Sequence, residues 1–119
     1  MSENMGLEGD FNLSQFATKE WILTNEETIK ELSQFYSVFS NPTRLRIMMI
    51  LLKGKKCVGD IASMLNLDQS TVSSHLKILR HLKLVKTKRK GRFVRYSIQN
   101  KHVGNVLREG LKHVLKINK

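Results

Sequence analysis

The spacing of apolar residues along the chain changes near residue 84. Before that point apolar side chains recur every three or four positions, as in Ile29, Leu32 and Phe35, which indicates helices with one buried face. After it come two short runs rich in β-forming residues, and helical spacing returns beyond residue 100. The pattern predicts a mainly α chain with one β-hairpin, in the order α-α-α-α-β-β-α.

Residues that start or stop helices place the ends of these elements. Thr24 and Glu27 form a capping box before the first helix of this series. Asn41-Pro42 supplies an N-cap and a first-turn proline for the next helix, and Gly54 ends it. Asp68 is expected to cap a later helix through its side-chain oxygen. The predicted helices cover residues 25–39, 42–53, 58–65, 69–82 and 101–116, with a further short helix over 12–22.

Charge is divided unevenly along the chain. The 119 residues carry a formal net charge of +11, and seven of the ten acidic residues come before residue 41. Between Asp68 and Glu109 there is no acidic residue, whereas the same interval holds eleven Lys or Arg. Solvated surfaces usually mix both signs. We therefore interpret the basic half as a face for a polyanion such as nucleic acid, rather than as a generic solvated surface.

Other features of the sequence exclude whole classes of protein. No apolar run approaches the roughly 18 residues of a membrane span, and residues 1–11 lack the apolar segment of a signal peptide. We therefore expect a cytoplasmic protein without membrane association. A single cysteine, Cys57, excludes an internal disulfide framework. Gly-rich phosphate loops, His-Glu-x-x-His and serine nucleophile elbows are absent, so we do not expect an enzyme.

The predicted helices at 58–65 and 69–82, joined by a tight turn, have the form of a helix-turn-helix. In such a unit the second helix lies in the major groove of DNA. Val72, Leu76 and Leu79 form its buried stripe, and the opposite side carries hydroxyl, amide and amino groups that can read base edges. By itself this face also fits an ordinary amphipathic helix. The candidate base-reading residues are Gln69, Ser70, Ser73, Ser74 and Lys77, with His75 at the flank.

The hairpin that follows decides between these two interpretations. Its strands, at 84–88 and 93–98, are joined by a basic turn at 89–92. It holds more cations than a solvated hairpin needs, as is typical of a wing that contacts phosphates or enters the adjacent minor groove. We therefore predict a winged helix-turn-helix. The candidate DNA contacts of the wing are Lys86, Lys88, Arg89, Lys90, Arg92 and Arg95.

From about residue 33 onward the chain resembles the ArsR/SmtB family of bacterial and archaeal transcriptional repressors. The resemblance is carried by NPTRLRIMMILL at 41–52 and by CVGDIASMLNLDQSTVSSHLKILRHLKLVKTKRKGRFVRYSI at 57–98. It implies a homodimer joined through its first and last helices. It also implies that each protomer places one recognition helix on half of an imperfect palindrome in double-stranded DNA.

A dimer is also indicated by a larger number of apolar residues than the core of one protomer can bury. The helix over 101–116 carries more of them than are needed to cap the core of a single chain, and the aromatic residues of the helix over 25–39 need a partner surface too. The predicted interface residues are Phe35, Phe39, Val103, Val106, Leu107, Leu111 and Val114.

We expect the chain to divide into two parts. Residues 1–24 form an N-terminal arm that is partly flexible, and residues 25–119 form one winged helix-turn-helix domain. The expected parts of this domain are a helix-turn-helix at 57–82, a wing at 84–98 and a C-terminal dimerisation helix at 101–116.

The resemblance further implies release from DNA by an inducer, often a metal ion. One kind of site in the family uses a Cys-Val-Cys-Asp pattern, and the matching stretch here is Cys57-Val58-Gly59-Asp60. A soft metal normally needs three or four ligands, so one thiolate is too few. Cys57 is therefore either a structural thiol or a redox sensor.

The other kind of site in the family lies across the dimer on the last helix. The matching positions here are Asn100, His102, His113 and Lys116. Both histidines are present, but Asn100 is a weak donor and a protonated Lys116 repels a dication. The histidines are therefore a weak or vestigial site for Zn, Ni or Cu, polar contacts of the interface, or the site of another ligand. The inducer stays unidentified.

These observations together predict a sequence-specific, dimeric, DNA-binding transcriptional regulator. We expect a repressor that is released by an inducer, either a metal ion or a redox change. The alternative is an architectural nucleic-acid-binding protein without regulated release.

Overall fold

The computed structural model describes residues 12–117, so residues 1–11 of the predicted arm lie outside the described residues. From α2 onward the elements follow the predicted order, and their ends agree with the prediction to within two residues. They are a 3₁₀ helix at Leu13–Phe16, then α1 (Lys19–Thr24), α2 (Glu26–Val38), α3 (Pro42–Leu52), α4 (Val58–Leu65), α5 (Gln69–His81), β1 (Val85–Lys90), β2 (Phe93–Ile98) and α6 (Lys101–Ile117).

The start of the described chain differs from the predicted single helix over 12–22. The side chain of Asn12 accepts a hydrogen bond from the Ser14 backbone N–H at 3.0 Å, and the Thr18 hydroxyl accepts one from the Trp21 backbone N–H at 3.1 Å. Each of these short polar side chains caps its own segment. The chain therefore forms a 3₁₀ turn and then α1, and the prediction of one continuous helix is wrong.

The capping box predicted from Thr24 and Glu27 is also wrong. Thr24 is the last residue of α1, and its hydroxyl donates to the Glu20 carbonyl oxygen at 2.7 Å. Asn25 ends α1 and precedes α2, and its side-chain amide donates to the Trp21 carbonyl oxygen at 2.8 Å. Because α1 runs two residues beyond the predicted end, it uses the hydroxyl that was expected to cap α2.

The second helix of the domain, α3, begins as predicted. The side-chain oxygen of Asn41 accepts a hydrogen bond from the Arg44 backbone N–H at 3.0 Å, and a proline occupies the first turn. After α3, Gly54 has φ 155°, a conformation that side chains rarely adopt. The chain then meets β2, where Lys56 and Tyr96 exchange two backbone hydrogen bonds of 3.0 and 2.8 Å. This bridge attaches the segment before α4 to the base of the hairpin.

The hydrophobic core lies between α3, α5 and the base of the hairpin, with contributions from α2, α4 and α6. Among the described residues no polar side chain is buried in it. Each large apolar side chain that is fully buried contributes about 1.5–3 kcal/mol to folding. No helix in the described part of the chain is long and apolar enough to cross a membrane. The buried residues are Val38, Ile47, Met48, Leu51, Ile61, Ala62, Val72, Leu76, Leu79, Leu84, Val85, Val103 and Leu107.

The tight turn predicted between α4 and α5 is confirmed. Asn66 has φ 57° and ψ 45°, a left-handed conformation that asparagine tolerates better than most residues. The Leu67 backbone N–H closes the turn with a 3.0 Å hydrogen bond to the carbonyl oxygen of Ala62 in α4. The turn holds α4 and α5 as the helix-turn-helix unit.

Candidate nucleic-acid interface

α5 presents the predicted polar face to solvent. Val72, Leu76 and Leu79 are fully buried, which turns the opposite side of the helix outward. The predicted base-reading residues all lie on that exposed side, so one surface carries the whole set. They are Gln69, Ser70, Ser73, Ser74 and Lys77.

Some polar groups at the start of α5 are already engaged within the protein. Asp68 is the N-cap residue as predicted, but its carboxylate accepts hydrogen bonds from the hydroxyls of Ser70 and Thr71 rather than from a backbone N–H. These hydroxyls compete with the backbone for the carboxylate. Their hydrogen bonds, that of Ser70 first, hold the pKa of Asp68 below its usual value of 3.8.

The other polar side chains of this face differ in whether they already form hydrogen bonds within the protein. The Ser74 hydroxyl donates to the carbonyl oxygen of Ser70 at 3.0 Å, so it points along the helix. The amide nitrogen of Gln69 lies 3.6 Å from the point that a Cβ on Gly59 would occupy, so this side chain extends over α4. The side chains of Gln69, Ser73 and Lys77 make no hydrogen bond within residues 12–117, which leaves their polar groups available to a ligand.

His75 lies at the flank of α5, half-buried against α3. The Arg44 Nε–H donates to His75 Nδ1 at 3.3 Å. Burial, and then the positive charge of Arg44, lower the pKa of His75 below its usual 6.5. His75 is therefore neutral at pH 7, with Nδ1 acting as an acceptor. Sequence reasoning did not single out Arg44, because its partner lies 31 positions away in the chain.

The wing carries its cations mainly on one side. β1 and β2 are antiparallel, and Lys88 is the partner of Arg95 in the register. Because side chains alternate along a strand, Lys86, Lys88 and Lys90 share a face with Arg95. Gly91 has φ 63° and makes the turn, with Arg92 after it. The six predicted wing residues are all exposed: Lys86, Lys88, Arg89, Lys90, Arg92 and Arg95.

Among the described residues 12–117, no acidic side chain forms an ion pair with this wing. Within residues 12–117 the ion pair that forms joins Lys112 and Glu109 on α6, at 3.4 Å. Cations that lack protein partners leave a strong positive potential, which attracts polyanions over distances of about a Debye length.

An open apolar groove of about 400 Å³ lies between α2, α3 and α6. It is lined by Tyr36, Phe39, Leu45, Met49, Val106, Leu107, Gly110, Leu111 and Val114. Five of the predicted interface residues are brought together here. Of the remaining two, Phe35 packs edge-on against the rings of Tyr36 and Phe39.

The other predicted interface residue, Val103, lies elsewhere. It belongs to the core of the protomer, as Leu107 does, but unlike Leu107 it does not line the groove. Sequence reasoning missed Leu45 and Met49 as groove residues. Their spacing of four on α3 was the signal that could have found them.

The candidate metal ligands are scattered within one protomer. Cys57 is half-buried at the N-cap position of α4. Both His102 and His113 are exposed on α6. The side-chain oxygen of Asn100 accepts hydrogen bonds from the backbone N–H groups of His102 and Val103, at 3.0 and 3.1 Å, so it caps α6. Within the described part of a single chain, no three His, Cys, Asp or Glu residues come close enough to hold a metal ion.

A helix-turn-helix with a polar recognition face and a basic hairpin defines the class of winged helix-turn-helix proteins. Comparison with known proteins gives the family. Residues 41–87 match the family described as bacterial regulatory protein, arsR family. The chain is 36% identical over 97 residues to the HTH-type transcriptional regulator CmtR of Mycobacterium bovis. The aligned residues make up 82% of each chain. The chain therefore belongs to the arsR family.

A second relative is the transcriptional repressor SmtB homolog of Synechocystis sp. It is 40% identical over 85 residues, which is 71% of this chain. The chain spans 64% of the length of that relative. Membership of a family of regulatory proteins confirms the prediction that the chain is not an enzyme.

Two solved structures share the fold. The NMR structure of the cadmium metal-sensor CMTR from Mycobacterium tuberculosis has a TM-score of 0.58 and 38% identity, covering 65% of this chain and 80% of that one. A homodimeric winged helix-turn-helix DNA-binding domain from Mycobacterium bovis has a TM-score of 0.69 and 24% identity, covering 77% and 83%. The winged helix-turn-helix predicted from the sequence is confirmed.

Proposed function

We propose that the protein is a dimeric, sequence-specific, DNA-binding transcriptional repressor of the cytoplasm. The observation that supports this most is the exposed polar face of α5, followed in the chain by an acid-free wing with six exposed cations. Gln69, Ser73 and Lys77 read base edges, because glutamine suits adenine, serine suits several bases and lysine suits guanine. The wing contacts phosphates and supplies affinity that does not depend on sequence.

The dimer of this proposal forms when the apolar groove between α2, α3 and α6 meets the same groove of a second copy. The protomer is more extended than a compact domain of this length: its Cα radius of gyration is 16.6 Å, against roughly 13.5 Å. Tyr36, Leu111 and Val114 are 42–55% exposed in one protomer. A two-fold dimer covers them and spaces the recognition helices for two half-sites about one helical turn apart.

For the inducer, we propose at most a weak metal response through His102 and His113. The name of one solved relative, a cadmium metal-sensor, supports a metal in general. The donors of this chain do not complete a tight tetrahedral site, because Asn100 already caps α6 and Lys116 is a cation. Zn, Ni and Cu are the ions that two imidazoles suit.

Titrating the DNA-bound protein with Zn, Ni and Cu tests this response. We expect release only at high metal concentration, and none for the His102→Ala/His113→Ala double variant. Equal release of the wild type and the double variant would remove these histidines from the mechanism. Release by an oxidant but by no metal, together with no release of a Cys57→Ser variant, would assign sensing to Cys57.

The function itself is tested by fluorescence anisotropy with the DNA upstream of the protein's own gene. The expected result is binding at least a thousandfold tighter than to random duplex of the same length. Equal affinity for both would favour an architectural nucleic-acid-binding protein.

A further inference from the structure

A second basic surface lies beside the wing, in a cleft of about 280 Å³ between the turn after α3 and the hairpin. Every residue that lines it is an exposed cation, and none forms an ion pair within residues 12–117. Four of these residues belong to the wing, but Lys55 comes from the turn after α3. The lining residues are Lys55, Lys88, Arg89, Lys90 and Arg95.

Backbone pairing holds Lys55 in this position. The isolated bridge between Lys56 and Tyr96 pairs the turn with β2 at a single residue. Lys55 and Arg95 line this cleft together, and both also border a neighbouring cleft that is lined by Lys56 and Asp60. Because Lys88 is the register partner of Arg95, three cations from three chain segments face the same side.

No acidic side chain lines this cleft, so its group of cations is electrostatically unfavourable until an anion joins it. Charges of one sign repel one another, and an anion bound between them replaces that repulsion with attraction. Isolated surface lysines would avoid this geometry by turning away into solvent. At Lys55 the neighbouring bridge fixes the backbone beside the wing, and the side chain lines the cleft together with Lys88 and Arg95.

We propose that this cleft binds a backbone phosphate of DNA, with Lys55 as a contact that lies outside both the recognition helix and the wing. The proposal rests on the proposed DNA-binding function and extends it. A phosphodiester is the fitting ligand, because the cleft offers cations but no acidic side chain that could accept a hydrogen bond from a base or sugar. Its contribution is therefore independent of sequence.

The test compares Lys55→Gln with Lys53→Gln in the full-length protein. Lys53 is two residues away and exposed, but it does not line the cleft, so it controls for the loss of one charge from the same turn. Anisotropy titrations from 0.05 to 0.3 M salt are run with two probes. One is the duplex from upstream of the protein's own gene, and the other is a random duplex of equal length.

Each phosphate contact contributes roughly 0.9 to the slope of log affinity against log salt. A dimer holds two copies of the cleft, so Lys55→Gln is expected to lower the slope by about 1.8. If the wild type and the variant bind equally at 1 M salt, the lower slope makes the variant's affinity roughly 60-fold weaker at 0.1 M on both duplexes. Lys53→Gln should change the affinity less than threefold.

Identical slopes for Lys55→Gln and Lys53→Gln would overturn the phosphate site. A loss confined to the specific duplex would also overturn it, because a phosphate contact cannot discriminate between sequences. If the wild type binds both duplexes equally, the proposed repressor function fails, but the Lys55 effect is still measurable on the random duplex. Lys53→Gln should unfold at the wild-type temperature, and Lys55→Gln at that temperature or slightly above it, because this change removes one of the mutually repelling charges.

Discussion

Removing apolar side chains from the groove should dissociate the dimer without unfolding the protomer. In one protomer Leu111 is 42% exposed and Val114 is 52% exposed, so about half of each side chain remains to be buried by a partner. Full burial of such a side chain contributes about 1.5–3 kcal/mol, and the remaining half therefore contributes about 1 kcal/mol. Two copies of both residues make about 4 kcal/mol per dimer.

The double variant Leu111→Ser/Val114→Ser is thus expected to raise the dimer dissociation constant roughly a thousandfold. Sedimentation equilibrium over a range of protein concentrations measures this constant directly. Met64→Ser is the matched control, because Met64 is 59% exposed on α4 and does not line the groove. If the double variant and the control dimerise equally well, the groove is not the dimer interface.

Three further predictions concern the recognition helix and the wing. Gln69→Ala and Ser73→Ala should each lower the discrimination between operator and random duplex by about 1–3 kcal/mol in competition titrations. Unchanged discrimination would show that the substituted residue does not contact a base. Arg92→Gln should weaken binding to all duplexes equally and flatten the salt dependence; an effect on one sequence only would argue against a phosphate contact. Because the pKa of His75 is lowered in the folded protein, the unfolded chain takes up its proton first as the pH falls below 6.5. The stability contributed by neutral His75 is therefore full above pH 6.5 and is lost as the pH falls through the folded pKa, so His75→Gln should flatten that part of the pH profile in urea unfolding. An unchanged profile would mean that the pKa of His75 is the same in the folded and the unfolded chain.

Periodicity was enough to predict the helix-turn-helix and the wing. The buried stripe of α5 and the alternation in the hairpin are local patterns, and each is set by a single face that packs on the core. Local hydrogen bonding was harder to predict. The hydroxyls of Thr18 and Thr24 each had more than one backbone group within reach, and sequence alone does not rank these competing bonds.

Contacts between segments that are distant in the chain could not be predicted from the sequence. The hydrogen bond between Arg44 and His75 and the bridge between Lys56 and Tyr96 join residues 31 and about 40 positions apart, respectively. No short-range pattern marks either pair. Val103 shows a related difficulty, because the apolar residues of α6 serve both the protomer core and the groove. Spacing on one helix does not say which apolar residue faces which partner.

We propose that α5 reads a DNA sequence while the wing holds the backbone. The most direct measurement is the affinity for the duplex upstream of the protein's own gene and for a random duplex, each across a salt series, with wild type and Gln69→Ala/Ser73→Ala. We expect the wild type to prefer the first duplex at least a thousandfold, and the double variant to lose most of this preference while keeping the salt slope. Equal affinity of the wild type for both duplexes would show that α5 does not read sequence.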